Sequence, residues 1–192
     1  MYMSKGLFKH YQLPTRMKTA KLFFLIVNFF LVCGKTFSQD TINWRPDYKL
    51  QWKDFQETPD TTSEHGAVST IQTKYTFTST EKDFSFKIYC FFEKKKSWVR
   101  VLSNEGLIHE QGHFNISEIY ARKLMAAFKN YKFNPATVVQ DLKNIFAQIK
   151  MERGKMDDLY DKETDFHRNS INQEKWNKKI KQELSRLPEI PN

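Results

Sequence analysis

From residue 68 to 78 the chain alternates, with Ile71, Thr73, Tyr75 and Phe77 on one face and Thr70, Gln72, Lys74 and Thr76 on the other. Period two is the mark of a half-buried strand. A polar break at Thr80-Glu81-Lys82-Asp83 precedes a second alternating run over 84–92, where Phe84, Phe86, Ile88, Cys90 and Phe92 share a face. The two runs predict an antiparallel hairpin. After a polar stretch from Glu93 to Ser97, the short apolar run Trp98 to Leu102 predicts a third strand, and upstream Trp44, Leu50, Trp52 and Phe55 are expected as core anchors on irregular or extended chain.

The spacing then changes from two to about 3.6. Asn104 is expected to cap a helix from Glu105 to about Tyr131, and Asn134-Pro135 supplies an N-cap followed by proline at the first helical position of the next. That second helix carries Val138, Leu142, Ile145, Phe146, Ile149, Met156 and Leu159 in its stripe. A loop from about Asp161 to Ser170 leads to a third helix with Trp176, Ile180, Leu184 and Leu187 in line, ended by Pro188. Strands followed by helices predict an α+β domain, an N-terminal antiparallel sheet packed on C-terminal helices.

Ahead of the strands lies a different pattern. Met17-Lys18-Thr19-Ala20-Lys21 leads into the apolar stretch Leu22 to Cys33, with small residues at Thr36 and Ser38. This is the anatomy of a secretory signal. A retained anchor is the alternative, but a span needs about 20 apolar residues. Residues 1–38 are therefore expected to be an N-terminal extension and cleaved signal, with Met1 or Met17 as the start, and 39–192 a single domain of a secreted or periplasmic protein. Lipid anchoring through Cys33 is a further alternative, against which Val32 stands where a small residue is preferred.

Charge looks different in that light. The whole chain carries 31 bases against 22 acids, a net +9 that by itself suggests an anionic partner. Six of those bases and none of the acids lie in residues 1–38, which leaves 25 against 22. No nucleic-acid partner is expected, nor stable membrane insertion after cleavage. Lys94-Lys95-Lys96 and Lys178-Lys179 read as solvated faces. The composition, 40% hydrophobic and 15% aromatic with six Gly and six Pro, excludes disorder. With Cys33 removed, Cys90 has no partner for a disulfide, so the core or a metal must stabilise the fold.

The chemistry is concentrated in Leu107-Ile108-His109-Glu110-Gln111-Gly112-His113-Phe114, an HExxH pattern inside the first predicted helix. At about 100° per residue, His109 and His113 project from adjacent turns of one face and can take two corners of a tetrahedral Zn²⁺ site. Glu110 stands beside them as the general base that takes a proton from a zinc-held water and later delivers it to a leaving amine. A third ligand must come from elsewhere. Glu118 faces away, and His167 in the loop after the second helix is the expected third ligand, with Asp161, Glu163 and Asp165 as oxygen-ligand or outer alternatives. Tyr120 and Tyr160 are both candidate donors to an oxyanion. Glu118 and Arg122, on the opposite face, are spaced i,i+4 and read as a helix-surface ion pair.

Three blocks resemble a known family, the predicted secreted zinc-dependent proteases catalogued as a bacterial domain of unknown function numbered 922. They are Trp44-Arg45-Pro46-Asp47-Tyr48 through Leu50-Gln51-Trp52-Lys53-Asp54-Phe55; Ser97-Trp98-Val99 with the HExxH helix and its Glu118, Tyr120-Ala121-Arg122 tail; and Tyr160-Asp161-Lys162-Glu163-Thr164 with His167, Gln173 and Trp176. The resemblance covers roughly residues 44–180. It implies a zincin-like metallopeptidase with the HExxH on the first long helix, His109 and His113 as ligands, Glu110 as base, and it favours His167; for Glu118 and Arg122 it implies a brace between the sheet and the site helix. The expectation is thus an exported zinc hydrolase acting on a peptide or protein substrate. The alternative is a non-catalytic envelope protein with a structural metal, or a binding module using its sheet edge.

Overall fold

The computed structural model describes residues 40–191. The expected signal segment lies outside the described residues. The order of elements is β1 (Thr41–Asn43), β2 (Ala67–Val68), β3 (Ile71–Ser79), β4 (Phe84–Glu93), β5 (Trp98–Val99), α1 (Asn104–Asn130), α2 (Val138–Thr164) and α3 (Ser170–Arg186). The architecture is α+β, as the two periodicities imply.

The β3–β4 hairpin pairs Tyr75 with Ile88 and Phe77 with Phe86, so its aromatic face is continuous across both strands. β1 completes the sheet on the far side of β4, opposing Ile42 to Phe92. Three residues carry too little alternation to be read as a strand from sequence. The third strand is shorter than expected: only Trp98 and Val99 are extended, and they pair with Val68 and Ala67 in a separate two-stranded ribbon. Val101 and Leu102 are exposed instead.

α1 is buried on most of its circumference, as a helix apolar beyond one stripe must be. Phe114, Ala121, Leu124, Met125 and Phe128 pack on the sheet with Ile88 and Phe92. Ile116, Ile119 and Tyr120 pack on the other side with Tyr160, Trp176 and Ile180 from α2 and α3. The cap is Ser103 rather than Asn104: its hydroxyl accepts from the Gly106 N–H at 2.9 Å. Asn134 organises a turn by accepting from the Ala136 N–H, and the α-helix proper starts at Val138.

The irregular segment from Trp44 to Phe55 buries Leu50 and Phe55. It is fastened to α1 by side chains of the HExxH helix. Gln111 accepts from the Leu50 N–H at 2.8 Å, and Asn115 accepts from Trp44 Nε1 at 2.9 Å.

α2 continues to Thr164, a full turn past the expected end. Thr164 is completely buried and its hydroxyl donates to the Tyr160 carbonyl at 2.7 Å. Packing of that last turn on α1 overrides its polar composition, and Asp161 thereby sits on a helix face rather than in a loop. The reversal into α3 is tight, with Asp165, Phe166 and His167 at φ of 50°, 50° and 73°. Left-handed backbone at three consecutive non-glycine residues costs roughly 1–3 kcal/mol each.

Candidate metal centre

α1 and α2 lie antiparallel, as the facing residues show: His113 meets Asp157, Gly112 meets Tyr160 and His109 meets Asp161. The spacing of four that sets His109 and His113 on one face of α1 is repeated by Asp157 and Asp161 on α2. Gly112 permits this approach. A β-carbon there would fall on the Tyr160 hydroxyl and 2.6 Å from its Cζ. The Tyr160 ring stacks on His109, centroids 4.5 Å apart and planes 12° from parallel.

Each imidazole is oriented from behind. His113 Nδ1 lies 3.0 Å from Asp157 Oδ1, and His109 Nδ1 lies 3.1 Å from Gln173 Oε1. The Gln173 amide nitrogen is committed elsewhere, donating to Tyr160 Oη at 2.6 Å and to Asn177 at 2.9 Å. Both partners of the Nδ1 atoms are therefore acceptors. A neutral imidazole so held keeps its proton on Nδ1 and its lone pair on Nε2.

The two Nε2 atoms are 3.2 Å apart, and Asp161 Oδ1 is 3.0 Å from one and 2.9 Å from the other. Lone pairs of two nitrogens and a carboxylate oxygen thus converge on one point, which is unfavourable unless positive charge sits among them. A tetrahedral ion with bonds of about 2.0–2.1 Å spaces its donors roughly 3.3 Å apart. His109, His113 and Asp161 form the one group among the described residues that can hold a metal ion. The charges and hydrogen bonds around the group show the same preference for a cation. Burial alone lowers the His113 pKa, but hydrogen bonds to Asp157 and Asp161 and the Glu110 charge outweigh it, raising it from 6.5 to about 10. Burial opposes ionisation of Asp161, yet its bonds to both imidazoles hold it well below the usual carboxylate range.

Glu110 is buried beside the group and accepts from the Ser69 hydroxyl through Oε2 at 2.5 Å. It faces a cleft of about 380 Å³ bounded by β2 and Ser69, by the α1 histidine face and by the Phe166–Arg168 turn.

The structure sorts the sequence candidates. His109, Glu110 and His113 come together as expected, and among the acids considered Asp161 joins them. Glu163 instead accepts from Trp176 Nε1 at 2.7 Å, and Asp165 is exposed and paired with Arg168. His167 lines the same cleft with its ring centroid 6.0 Å from that of His109, and it is not among the three gathered donors. Burial, with His109 and Arg168 nearby, lowers the His167 pKa below 6.5. His65 is exposed at the rim, its ring 5.6 Å from Phe166. Tyr160 is fully buried and its hydroxyl donates to the His109 carbonyl at 3.2 Å, so it has no proton to offer an oxyanion. Tyr120 is buried in the α1–α2–α3 core.

Glu118 and Arg122 are not a surface pair, being 4% and 3% exposed at 2.8 Å. Glu118 also bonds the Cys90 thiol of β4, and Arg122 donates to the Leu184 and Leu187 carbonyls. The pair braces the sheet and the end of α3 against α1. The residues missed in the sequence are Asp157, Gln173 and Ser69 as orienting partners. For Asp157 the visible signal was its four-residue spacing from Asp161, while Gln173 stood in the third resembling block with no role assigned to it.

Comparison with known proteins adds one match. Residues 39–168 match the family described as "Bacterial protein of unknown function (DUF922)". No curated protein and no solved structure matches the chain. Among the described residues no helix is long and apolar enough to cross a membrane.

Proposed function

Since the chain belongs to the bacterial DUF922 family, whose function is unknown, we propose from the site itself that it is a zinc-dependent hydrolase of the zincin type, acting on peptide bonds. The observation that carries this reading is the convergence of His109 Nε2, His113 Nε2 and Asp161 Oδ1 beside the buried Glu110, with Asp157 and Gln173 holding both imidazoles in the ligating tautomer. Two imidazole nitrogens and a carboxylate oxygen at this spacing are a donor set that suits catalytic zinc.

When bound, the ion supplies Lewis acidity, polarising a carbonyl and making water a stronger acid. The residues supply the rest. Ser69 occupies Glu110 Oε2, which leaves Oε1 to accept a proton from the attacking water and to return it to the departing nitrogen. Tyr160 and the buried last turn of α2 keep water away from the back of His109. His167, which stands in the cleft wall and keeps its imidazole neutral, faces the substrate side. Three protein donors beside an open cleft favour catalysis over the structural alternative, because a structural zinc is closed by four. The reading includes export, on the strength of the pattern in residues 17–38.

The test is direct. Purified protein should hold about one zinc per chain, and His109→Ala or His113→Ala should lose it. Glu110→Gln should keep metal and fold yet abolish cleavage of a peptide library. A folded wild type without affinity for zinc refutes the metal centre, and a fully active Glu110→Gln refutes the assigned base.

A further inference from the structure

Asp157 does more than face His113. Its Oδ1 meets the imidazole at 3.0 Å and its Oδ2 lies 3.0 Å from Arg153 Nε, one turn earlier on α2. The second contact is an ion pair rather than a hydrogen bond, because the Nε–H is not directed at that oxygen and is otherwise without an acceptor. Both carboxylate oxygens are thus engaged by opposite partners, and the torsion of Asp157 is set from two sides. Arg153 is itself fixed at a second point, where Nη1 donates to the Ile71 carbonyl at 3.1 Å. Ile71 is the buried first residue of β3 and is paired with Phe92 on the central strand.

Resting on the metal reading above, we propose that Arg153 is a positioning residue for the metal centre. It keeps Asp157 aimed at His113 Nδ1, and it ties the orientation of that ligand to the start of β3 at the wall of the cleft. An ordinary i,i+4 ion pair on a helix surface contributes little and orients nothing beyond itself. Arg153 differs in three respects. Its side chain is about four-fifths buried, it lines the cleft that holds the ligands, and it bonds a different layer of the fold. Carboxylate partners of ligating histidines fix ring orientation and basicity, and losing one typically costs 10–100-fold in metal affinity. A residue that fixes the carboxylate acts through the same path.

The experiment measures zinc affinity by competition with a chromogenic chelator, together with the visible spectrum of the cobalt-substituted protein, for wild type, Arg153→Met and Arg153→Lys. Lys178→Met, which removes an exposed i,i+4 pair with Glu174, serves as the control. Arg153→Met should bind zinc about 10-fold or more weakly and shift the cobalt bands, while Lys178→Met does neither. Arg153→Lys keeps the charge without the fork and should fall between, which keeps the test open if the methionine variant does not fold. Wild-type affinity and an unshifted spectrum in a folded Arg153 variant overturn the proposal alone. A wild type that binds no metal overturns both this proposal and the metal centre.

Discussion

Gly112→Ala should be among the most damaging small substitutions in the protein, although alanine is the better helix former. In the middle of α1 the change favours the helix by about 1 kcal/mol. Against that, the new methyl group would overlap Tyr160, with Cζ at 2.6 Å and Cε1 at 3.0 Å. Tyr160 has nowhere to go. It is fully buried, stacked on His109, set edge-on to Trp176 at 5.2 Å, and its hydroxyl bonds both Gln173 and the His109 carbonyl. Overpacking costs roughly 1–3 kcal/mol, and stranding the buried partners of the hydroxyl adds about 1–3 more. The net expectation is a loss of about 1–5 kcal/mol, or roughly 2–20 °C in Tm for a domain of this size. Thermal unfolding of the chelator-treated protein measures it without interference from bound metal. Gly154→Ala on α2 is the internal comparison, since nothing lies within 4 Å of a β-carbon there, and it should gain up to about 1 kcal/mol. If Gly112→Ala is as stable as Gly154→Ala, the close approach of the two helices is not what the glycine serves.

Three further outcomes are expected. Asp161→Ala should lower zinc affinity by more than the roughly 100-fold ceiling for outer partners, whereas His167→Ala should leave it within a few-fold by chelator competition; the reverse order would make His167 the third ligand. Arg122→Met should destabilise the protein by about 3–5 kcal/mol in denaturant unfolding, because Glu118 is left charged and buried, and a change under 1 kcal/mol would refute the bracing role. In the metal-free protein His113 titrates near 10 against 6.5 for the free side chain, so its contribution to stability is complete below pH 6.5 and is lost as pH rises towards 10. Tm of chelator-treated protein should fall across that window, and a flat profile would count against the assignment.

The hairpin was legible because Phe84 to Phe92 must alternate if one face is to be buried, and a one-residue register slip would turn five apolar side chains to the other face. The helices were legible from their stripes, and the histidine pair from a spacing that only a helix turns into one face. What the sequence could not say is where α2 would stop. Its last turn is polar, and it stays helical because Tyr160 and Thr164 are wholly buried against α1. That extra turn takes Asp161 out of a loop and sets it between the imidazoles, while His167 is carried to the cleft wall by a left-handed reversal.

Local rules act over a few residues, so the sequence by itself determined the two periodicities, the α+β order and the identity of His109, Glu110 and His113 as a unit. The third donor and the orienting shell of Asp157, Gln173 and Ser69 come from positions 41 to 64 residues away along the chain. Their arrival depends on the antiparallel packing of α2 on α1 and on the single glycine that allows it, and packing between distant segments is settled only when the whole core closes.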